Sequence, residues 1–420
     1  MIRHLLKIIW NQRLGNAWVF GELLIVAGVL WIMLDVLLLD VKTYNLPLGY
    51  DIENTHRLKL GKLSPDVPGY VEKEETAANE TDDLLRLMEQ IRMSNDVEEV
   101  CAAFYSCPYS FGNSWNNIRP LDGDTAAVCE RSFHVRRVTP EYFTVFRVKD
   151  KNGNPIAPQL DYTRSSIVLS KDLEALVYGH EEGKGRRIKH GDNEEVLVSA
   201  VSQPVRPSDY EVSEPCYFDV LIGKSLQECV EQFGSQSTEL CIRMKQPKSP
   251  EEMNRFLESM GDLLVANSLY VYGYKSIEQR RQESLYHYQR KMKIKVSLMF
   301  FMLVNVFFGI VGTFWLRTQY RRQEIGLRVA LGSSKNGLYR SMNMEGLLLL
   351  LFTLPCMLVF AINLYFFDLY ESSRFSLSAW RFLSGFGGAC LLMAGMVCLG
   401  VSFPARKAVA MPPAEALHYE

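Results

Sequence analysis

The sequence predicts a membrane protein of the α-helical class, with four transmembrane helices and a large α+β extracytoplasmic domain inserted between the first and the second helix. The mean hydropathy is −0.04, yet the apolar residues are gathered in one block near the start of the chain and three near its end. A polar stretch over residues 41–290 separates the first block from the others. Basic residues cluster beside the apolar blocks, which is the pattern that sets the orientation of membrane proteins.

Four apolar blocks have the length that a bilayer requires. A hydrocarbon core of about 30 Å is spanned by about 20 apolar residues in an α-helix. The first block is longer than the core of a signal peptide and no small-residue cleavage site follows it, so we interpret it as a retained anchor. The predicted transmembrane helices, TM1 to TM4, cover residues 18–40, 291–316 (with a preceding stalk helix), 345–367 and 382–403.

The basic residues orient these helices. They lie before TM1, between TM2 and TM3, and after TM4, so four spans place all three groups on one side. The positive-inside rule makes that side cytoplasmic and places both termini there. A group before TM2 that includes Lys295 disagrees, but long domains are translocated largely regardless of charge. The flanking basic residues outside the TM2–TM3 segment are Arg3, Lys7, Arg13, Arg406 and Lys407.

This orientation assigns each remaining segment to a compartment. The cytoplasmic parts are the N-terminal segment 1–17, a coupling loop over residues 317–344 and the tail 404–420. The periplasmic parts are the domain at residues 41–290 and a short loop over residues 368–381.

The polar domain shows α+β patterns. A helical pattern over residues 81–92 is followed by a strand pattern over 97–104. A helix over 249–264, with Ser249 as its cap and Pro250 at its first position, is followed by a strand over 268–274. Two such helix-then-strand units predict a small split βαβ sheet. Strand patterns between these units, over residues 165–169 and 196–201, predict a second α+β subdomain.

The segment from Ser276 to Lys295 predicts a charged helix that runs into TM2. Such a helix would form a continuous rod between the outer domain and the membrane.

Six cysteines lie in the polar domain. No CxxC pair is present and the histidines are scattered, so no zinc site is expected. An even number of cysteines outside the cytoplasm permits disulfides, with the pairing left open. The six are Cys101, Cys107, Cys129, Cys216, Cys229 and Cys241.

The chain carries no recognisable catalytic motif. A phosphate-binding loop needs G-x-x-x-x-G-K-[ST], and Gly223-Lys224-Ser225 supplies only its end, because position 218 is Phe. With a net charge of −2, the chain also lacks the excess of basic residues that is typical of a nucleic-acid binding protein. We therefore expect neither an enzyme nor a nucleic-acid partner, and no cofactor bound by this chain.

The most informative motifs flank TM2 and TM4. Residues 321–334 read RRQEIGLRVALGSS, and the tail contains PARKA at 404–408 and PAEAL at 413–417. These motifs resemble those of the MacB/FtsX family of ABC-transporter permeases. The segments PLGYDIEN (47–54) and VTPEYF (138–143) are similar to outer-domain segments of the same family. The resemblance spans nearly the whole chain.

The resemblance implies a permease of a bacterial inner membrane, with a MacB-like periplasmic core domain and an FtsX-like transmembrane domain. Because the fused ATPase domain of MacB is missing, it implies a separate ABC ATPase that carries ATP and Mg²⁺. It further implies a second permease, in a homo- or heterodimer, and a periplasmic adaptor and outer-membrane channel for efflux by mechanotransmission. The alternatives are an FtsX-like regulator of a cell-wall hydrolase and a lipoprotein-releasing permease, and the substrate stays open.

The coupling loop also has physical features of a helix that binds the ATPase. Glu324 and Arg328 have i,i+4 spacing, Ile325 and Val329 share one side, and Gly332 is a plausible helix end. An amphipathic helix of this kind fits a groove on a partner. The alternative is a solvated basic loop that only sets topology. The candidate coupling residues are Arg321, Arg322, Glu324, Ile325, Gly326, Arg328, Ala330, Leu331 and Gly332.

Small residues on TM2 and TM4 predict close helix packing, either inside one subunit or at a dimer interface. Two acidic residues, Glu22 and Glu345, lie near cytoplasmic ends of spans, where they are either functional or reach to the interface. The candidate packing residues are Asn305, Gly309, Thr313, Ser384, Gly385 and Gly388.

Overall fold

The structure is a computed structural model. It describes residues 9–11, 13–67, 70, 76–110, 112, 114–121, 131–190, 194–367, 369–370, 372 and 374–410. Arg3, Lys7, Cys129 and the tail motif at 413–417 lie outside these residues. The chain divides into two compact units: a helical unit formed by Met1–Tyr44 with Tyr288–Glu420, and an α+β unit formed by Asn45–His287.

The α-helices of the described residues are numbered in chain order. They are α1 (Arg13–Tyr44), α2 (Ala77–Arg92), α3 (Tyr142–Val145), α4 (Lys171–Tyr178), α5 (Lys224–Phe233), α6 (Pro250–Met260), α7 (Ile277–Tyr320), α8 (Arg322–Ala330), α9 (Lys335–Phe366) and α10 (Ala379–Ala410). Short 3₁₀ turns are at Ala157–Gln159, Ser235–Ser237 and Gly261–Leu264.

The strands are numbered in the same way. They are β1 (Thr55–Lys62), β2 (Val97–Phe104), β3 (Trp115–Pro120), β4 (Ser132–Val138), β5 (Ser166–Ser170), β6 (Arg187–His190), β7 (Glu194–Ser202), β8 (Cys216–Val220), β9 (Glu239–Met244), β10 (Val265–Ala266) and β11 (Leu269–Ser276).

Helices α1, α7, α9 and α10 are long and apolar enough to cross a membrane. They begin or end beyond the predicted spans: α9 begins at Lys335, where the sequence pattern placed the start at 345. The reason is local, because the hydroxyl of Ser334 accepts a hydrogen bond from the backbone N–H of Gly337 and caps the helix before its apolar part begins. Apolar side chains from all four helices, Trp31 and Phe314 among them, form one core.

Helix α7 joins the charged segment to the apolar one without a break. Its 44 residues run from Ile277 to Tyr320, so the charged segment and the apolar segment form one helix, as the sequence predicted. At 1.5 Å per residue such a helix is about 66 Å long.

The α+β unit contains both predicted helix-then-strand units in one sheet. Strands β1 and β2 are both antiparallel to β9, which lies between them, and β9 and β11 are both antiparallel to β1. Helix α2 connects β1 to β2, and α6 follows β9 and leads to β11. These are two interleaved split βαβ units. Helix α6 opens with the predicted Ser249 cap, which forms a capping box with Glu252.

The second subdomain is inserted between β2 and β9. Its strands β3 to β8 pair in the order β4-β3-β6-β7-β5-β8, and β8 pairs back to β4 in parallel, which closes the ring. Helix α4 belongs to the core of this ring, where Val177 lies with Ile188 and Tyr217. The sequence patterns predicted β5 and β7, but not the ring, because closure depends on pairing between strands far apart in the chain.

Candidate coupling site

The coupling segment folds as a short helix between two turns. Arg321 stands at the N-cap of α8 and is the residue after α7 ends, while Arg322 is the first helical residue. The predicted stop is present, because Gly332 has a φ of +89°, a conformation that favours glycine. Ala330 is the last residue of α8 and Leu331 its C-cap.

An ionic network connects α8 to the adjacent long helices. The predicted pair forms, with Arg328 Nη2 2.5 Å from Glu324 Oε1. Glu324 also accepts from Arg321 Nε at 3.0 Å, and Arg321 Nη1 donates to Glu345 Oε2 at 3.1 Å. Burial alone lowers the pKa of Arg321, but its hydrogen bond to Glu324 and the charge of Glu345 outweigh burial, so this pKa is raised. The guanidinium therefore stays charged and binds two helices at once.

Glu345 of α9 is the most buried member of this network. Its side chain is 4% exposed, and its Oε1 accepts from Arg317 Nη1 of α7 at 2.9 Å. Arg317 also donates to Asn16 of α1, whose amide donates to the carbonyl of Ile9 at 2.8 Å. The sequence predicted either a functional role for Glu345 or a side chain that extends to the membrane interface. The structure shows a carboxylate held by two arginines, with α1, α7, α8 and α9 all contributing.

The two faces of α8 differ in exposure. Ile325 is half-buried and lines a cleft with Phe314 and Leu338, and the neighbouring Gly326 is buried. Leu327 and Leu331 are 51% and 78% exposed, respectively. The helix therefore has one face attached to the long helices and another that presents apolar side chains outward.

All three predicted packing glycines lie against α1 of the same chain. A methyl group on Gly309 would meet the carboxylate of Glu22, one on Gly385 would meet Trp31, and one on Gly388 would meet Leu34. These contacts lie inside one subunit, which was one of the two readings of the pattern.

Two polar residues of the packing set, Asn305 and Ser384, donate hydrogen bonds to backbone carbonyls of their own helices. Asn305 is exposed and donates to the carbonyl of Phe301 at 2.9 Å. Ser384 donates to the carbonyl of Arg381 at 3.0 Å, and Thr313 is half-buried.

A second ionic cluster, which the sequence analysis did not anticipate, lies near the opposite ends of the long helices. Asp35 of α1 accepts from Arg381 of α10 at 2.9 and 2.6 Å. Asp40 accepts from Lys295 of α7 at 2.8 Å and from Arg374 at 2.7 Å. Lys295, which disagreed with the positive-inside rule, therefore has an acidic partner. The available signal was the pair of aspartates near the end of the first apolar block.

Comparison with known proteins gives a likeness at the level of solved structures. No family model and no curated protein matches the chain. The chain is similar to the crystal structure of the periplasmic region of MacB from Actinobacillus actinomycetemcomitans, with 11% identity, 58% of this chain and 97% of that chain covered, and a TM-score of 0.33. It is also similar to the extracellular domain of the noncanonic ABC-type transporter YknZ from Gram-positive bacteria, with 13% identity, 52% and 100% covered, and a TM-score of 0.28.

Proposed function

We propose that this chain is the permease subunit of an ABC transporter of the MacB/FtsX type. Its four long helices cross a bacterial inner membrane with both termini in the cytoplasm, and the α+β unit lies in the periplasm. A separate ATPase, which binds ATP and Mg²⁺, supplies the energy. The observation that carries the proposal is the coupling helix α8, which together with its C-cap exposes two leucines and is connected to the long helices through Arg321 and Glu345.

The exposed leucines provide the contact with the ATPase. Leu327 and Leu331 are four positions apart, so they lie on one side of the helix, and such a pair fits a hydrophobic groove. The opposite face and the arginines hold α8 to α7 and α9. A displacement of α8 by the ATPase is therefore passed to the long helices rather than absorbed by a loose loop.

Helix α7 carries the motion outward. Its cytoplasmic end holds Arg317, and its first turns belong to the α+β unit, where Arg281 Nη2 pairs with Asp209 Oδ1 at 2.7 Å. One uninterrupted helix thus takes part in ion pairs in both units. Transmission of movement through such a rod does not require that the cargo crosses the helical unit.

We infer that the transmitted movement drives efflux from the periplasm or the inner membrane. A dimer of permeases, either two copies or two related chains, would engage two ATPases, and a periplasmic adaptor and an outer-membrane channel would complete the path. An FtsX-like role in activating a cell-wall hydrolase and a role in lipoprotein release use the same coupling site.

The proposal is tested by purifying the tagged full chain in lipid nanodiscs and measuring ATP hydrolysis, with the subunits identified by mass spectrometry. We expect an ABC-type ATPase and its activity to accompany the chain, and Leu331→Glu to remove both. Lys335→Ala, an exposed change at the start of α9, is the matched control and should retain both. Retention of the ATPase by Leu331→Glu would refute the coupling role of α8.

The accompanying periplasmic protein separates the possible outputs. An adaptor protein supports efflux, whereas a cell-wall hydrolase supports the regulatory role. A second readout is export with the α+β units of neighbouring permeases locked by engineered disulfides. Unchanged export and ATP hydrolysis in the locked complex would refute mechanotransmission.

A further inference from the structure

Three buried thiols meet in the α+β unit. Cys101 of β2 lies directly opposite Cys241 of β9 in the antiparallel register. Cys107 follows β2 in the chain, and its Sγ lies 2.8 Å from the Sγ of Cys241. The three residues are 0%, 4% and 0% exposed, in the order Cys101, Cys107 and Cys241.

The segment that carries Cys107 is held in place by hydrogen bonds. The carboxylate of Glu239 accepts from the backbone N–H groups of Ser106 and Cys107 at 2.7 and 2.8 Å. Glu239 is also paired with Arg57 at 3.0 Å. Ser106 Oγ accepts from the backbone N–H of Arg137 at 2.8 Å. The position of Cys107 beside Cys241 therefore follows from a fixed backbone rather than from a mobile loop.

The two thiols lie where the chain leaves the first sheet and where it returns to it. The ring subdomain leaves the first sheet after β2 and returns to it at β9, and Cys107 and Cys241 stand at these two crossings. They are separated by 134 positions in the sequence, and this interval contains the whole ring. A disulfide between them would link the two ends of the inserted subdomain covalently.

We propose that Cys107 and Cys241 form a disulfide in the mature protein, with Cys101 left as the neighbouring free thiol. The inference rests on the proposed placement of the α+β unit outside the cytoplasm, because disulfides persist in oxidising compartments. In the structure the two residues are thiols in contact.

The oxidation is a thiol–disulfide exchange with an oxidised dithiol oxidoreductase. The thiolate of Cys107 attacks the donor disulfide, forms a mixed disulfide and releases one donor thiolate. The thiolate of Cys241 then attacks Cys107 Sγ and releases the second donor thiolate. The two cysteines lose two protons and two electrons, and the donor disulfide is reduced to two thiols.

The exchange takes place before the core closes. Burial raises the pKa of both Cys107 and Cys241 well above the ordinary value, so in the closed core neither is the reactive thiolate. The same burial protects the finished bond from reductants. We therefore expect a structural disulfide that resists reduction in the native protein and yields after unfolding.

The test maps cysteines in the full chain, trapped in intact cells with N-ethylmaleimide, then unfolded, digested without reduction and analysed by mass spectrometry. We expect a Cys107–Cys241 linked peptide and an alkylated Cys101. The linked peptide should persist in Cys101→Ser and in Cys229→Ser, a buried cysteine of a different core, and vanish in Cys107→Ser. When the protein is unfolded, reduced and then refolded, its melting temperature should be lower than that of the oxidised protein by roughly 10 °C.

Two results would overturn the inference: alkylation of both Cys107 and Cys241 in the wild-type chain, or a linked peptide that joins Cys241 to Cys101. Because the wild-type map suffices, a variant that fails to fold does not weaken the test. The placement of the unit is measured separately, by labelling Asn152→Cys with an impermeant maleimide on spheroplasts; Asn152 is exposed. If the cysteine introduced at position 152 is labelled while Cys107 and Cys241 are found as free thiols, the disulfide alone is refuted. If the cysteine at position 152 is not labelled, the periplasmic placement on which the proposed function depends is refuted.

Discussion

Replacing Glu345 by glutamine perturbs the coupling site at its most buried member. The carboxylate is 4% exposed and accepts from Arg317 and Arg321 at 2.9 and 3.1 Å. Glutamine has nearly the same shape but no charge, and its amide offers one acceptor oxygen instead of two. Arg321 keeps Glu324 as a partner, whereas Arg317, with a side chain 12% exposed, loses its carboxylate.

The cost follows from the charge that is left behind. Removing one partner of a buried ion pair destabilises a protein by about 3–5 kcal/mol. Arg317 retains its hydrogen bond to Asn16, so we expect the lower end, about 3 kcal/mol. Glu324→Gln is the matched control, because its side chain is 42% exposed and an exposed pair contributes about 1 kcal/mol or less. The double change Glu345→Gln with Arg317→Gln removes both charges and should recover most of the loss.

Thermal unfolding in lipid nanodiscs measures these differences, together with ATP hydrolysis by the complex. At about 3 °C per kcal/mol, Glu345→Gln should lower the melting temperature by about 9 °C, and Glu324→Gln by about 3 °C or less. The ATPase activity should become independent of the cargo or adaptor in Glu345→Gln, because α8 is no longer fixed to α9. Equal shifts in the two single variants, or a double variant no more stable than Glu345→Gln, would refute the role of the network.

Three further changes test other parts of the structure. Gly49→Ala should lower the stability by about 2 kcal/mol or more, as measured by thermal unfolding, because Gly49 has a φ of +85° and a methyl group would lie 2.3 Å from the carbonyl oxygen of Pro204. Asp35→Asn should destabilise the chain by about 3 kcal/mol, and Asp35→Asn with Arg381→Gln should recover part of it; an unchanged melting temperature would contradict the buried bidentate pair. Burial lowers the pKa of His56 to about 4. The unfolded chain then takes up a proton near pH 6.5 and the folded chain only near pH 4, so the contribution of His56 to stability is full above pH 6.5 and is lost as the pH falls from 6.5 to 4. The free energy of unfolding, measured by denaturation, should therefore change less over this pH range in His56→Phe than in the unchanged chain.

The features that the sequence predicted depend on local periodicity. The long apolar helices, the helix-then-strand units and the Glu324–Arg328 pair all follow from spacings within a few turns of one segment. The capping of α6 by Ser249 is equally local.

The features that it did not predict join distant segments. Arg317 and Glu345 are 28 positions apart, Lys295 and Asp40 are 255 apart, and Asp35 and Arg381 are 346 apart. Each of these pairs exists only because the helices pack in one arrangement, and no single-segment pattern encodes that arrangement. An isolated acidic residue in an apolar block is nonetheless a signal, because its burial requires a cationic partner.

The positions of the ion pairs on α7 give a physical reason to place this unit in a membrane. Lys295 is paired with Asp40, and Arg317 is paired with Glu345. The two basic residues are separated by 22 positions in one helix, which corresponds to about 33 Å along its axis, close to the roughly 30 Å of a hydrocarbon core. Between them the helix carries no Asp, Glu, Lys or Arg. In the membrane placement that we propose, the two ion pairs would hold the helix at both edges of the bilayer, so that it could not slide past its neighbours without breaking one of them. The proposed response to a push on α8 is therefore a tilt of α7, or a movement of α7 together with α1 and α9.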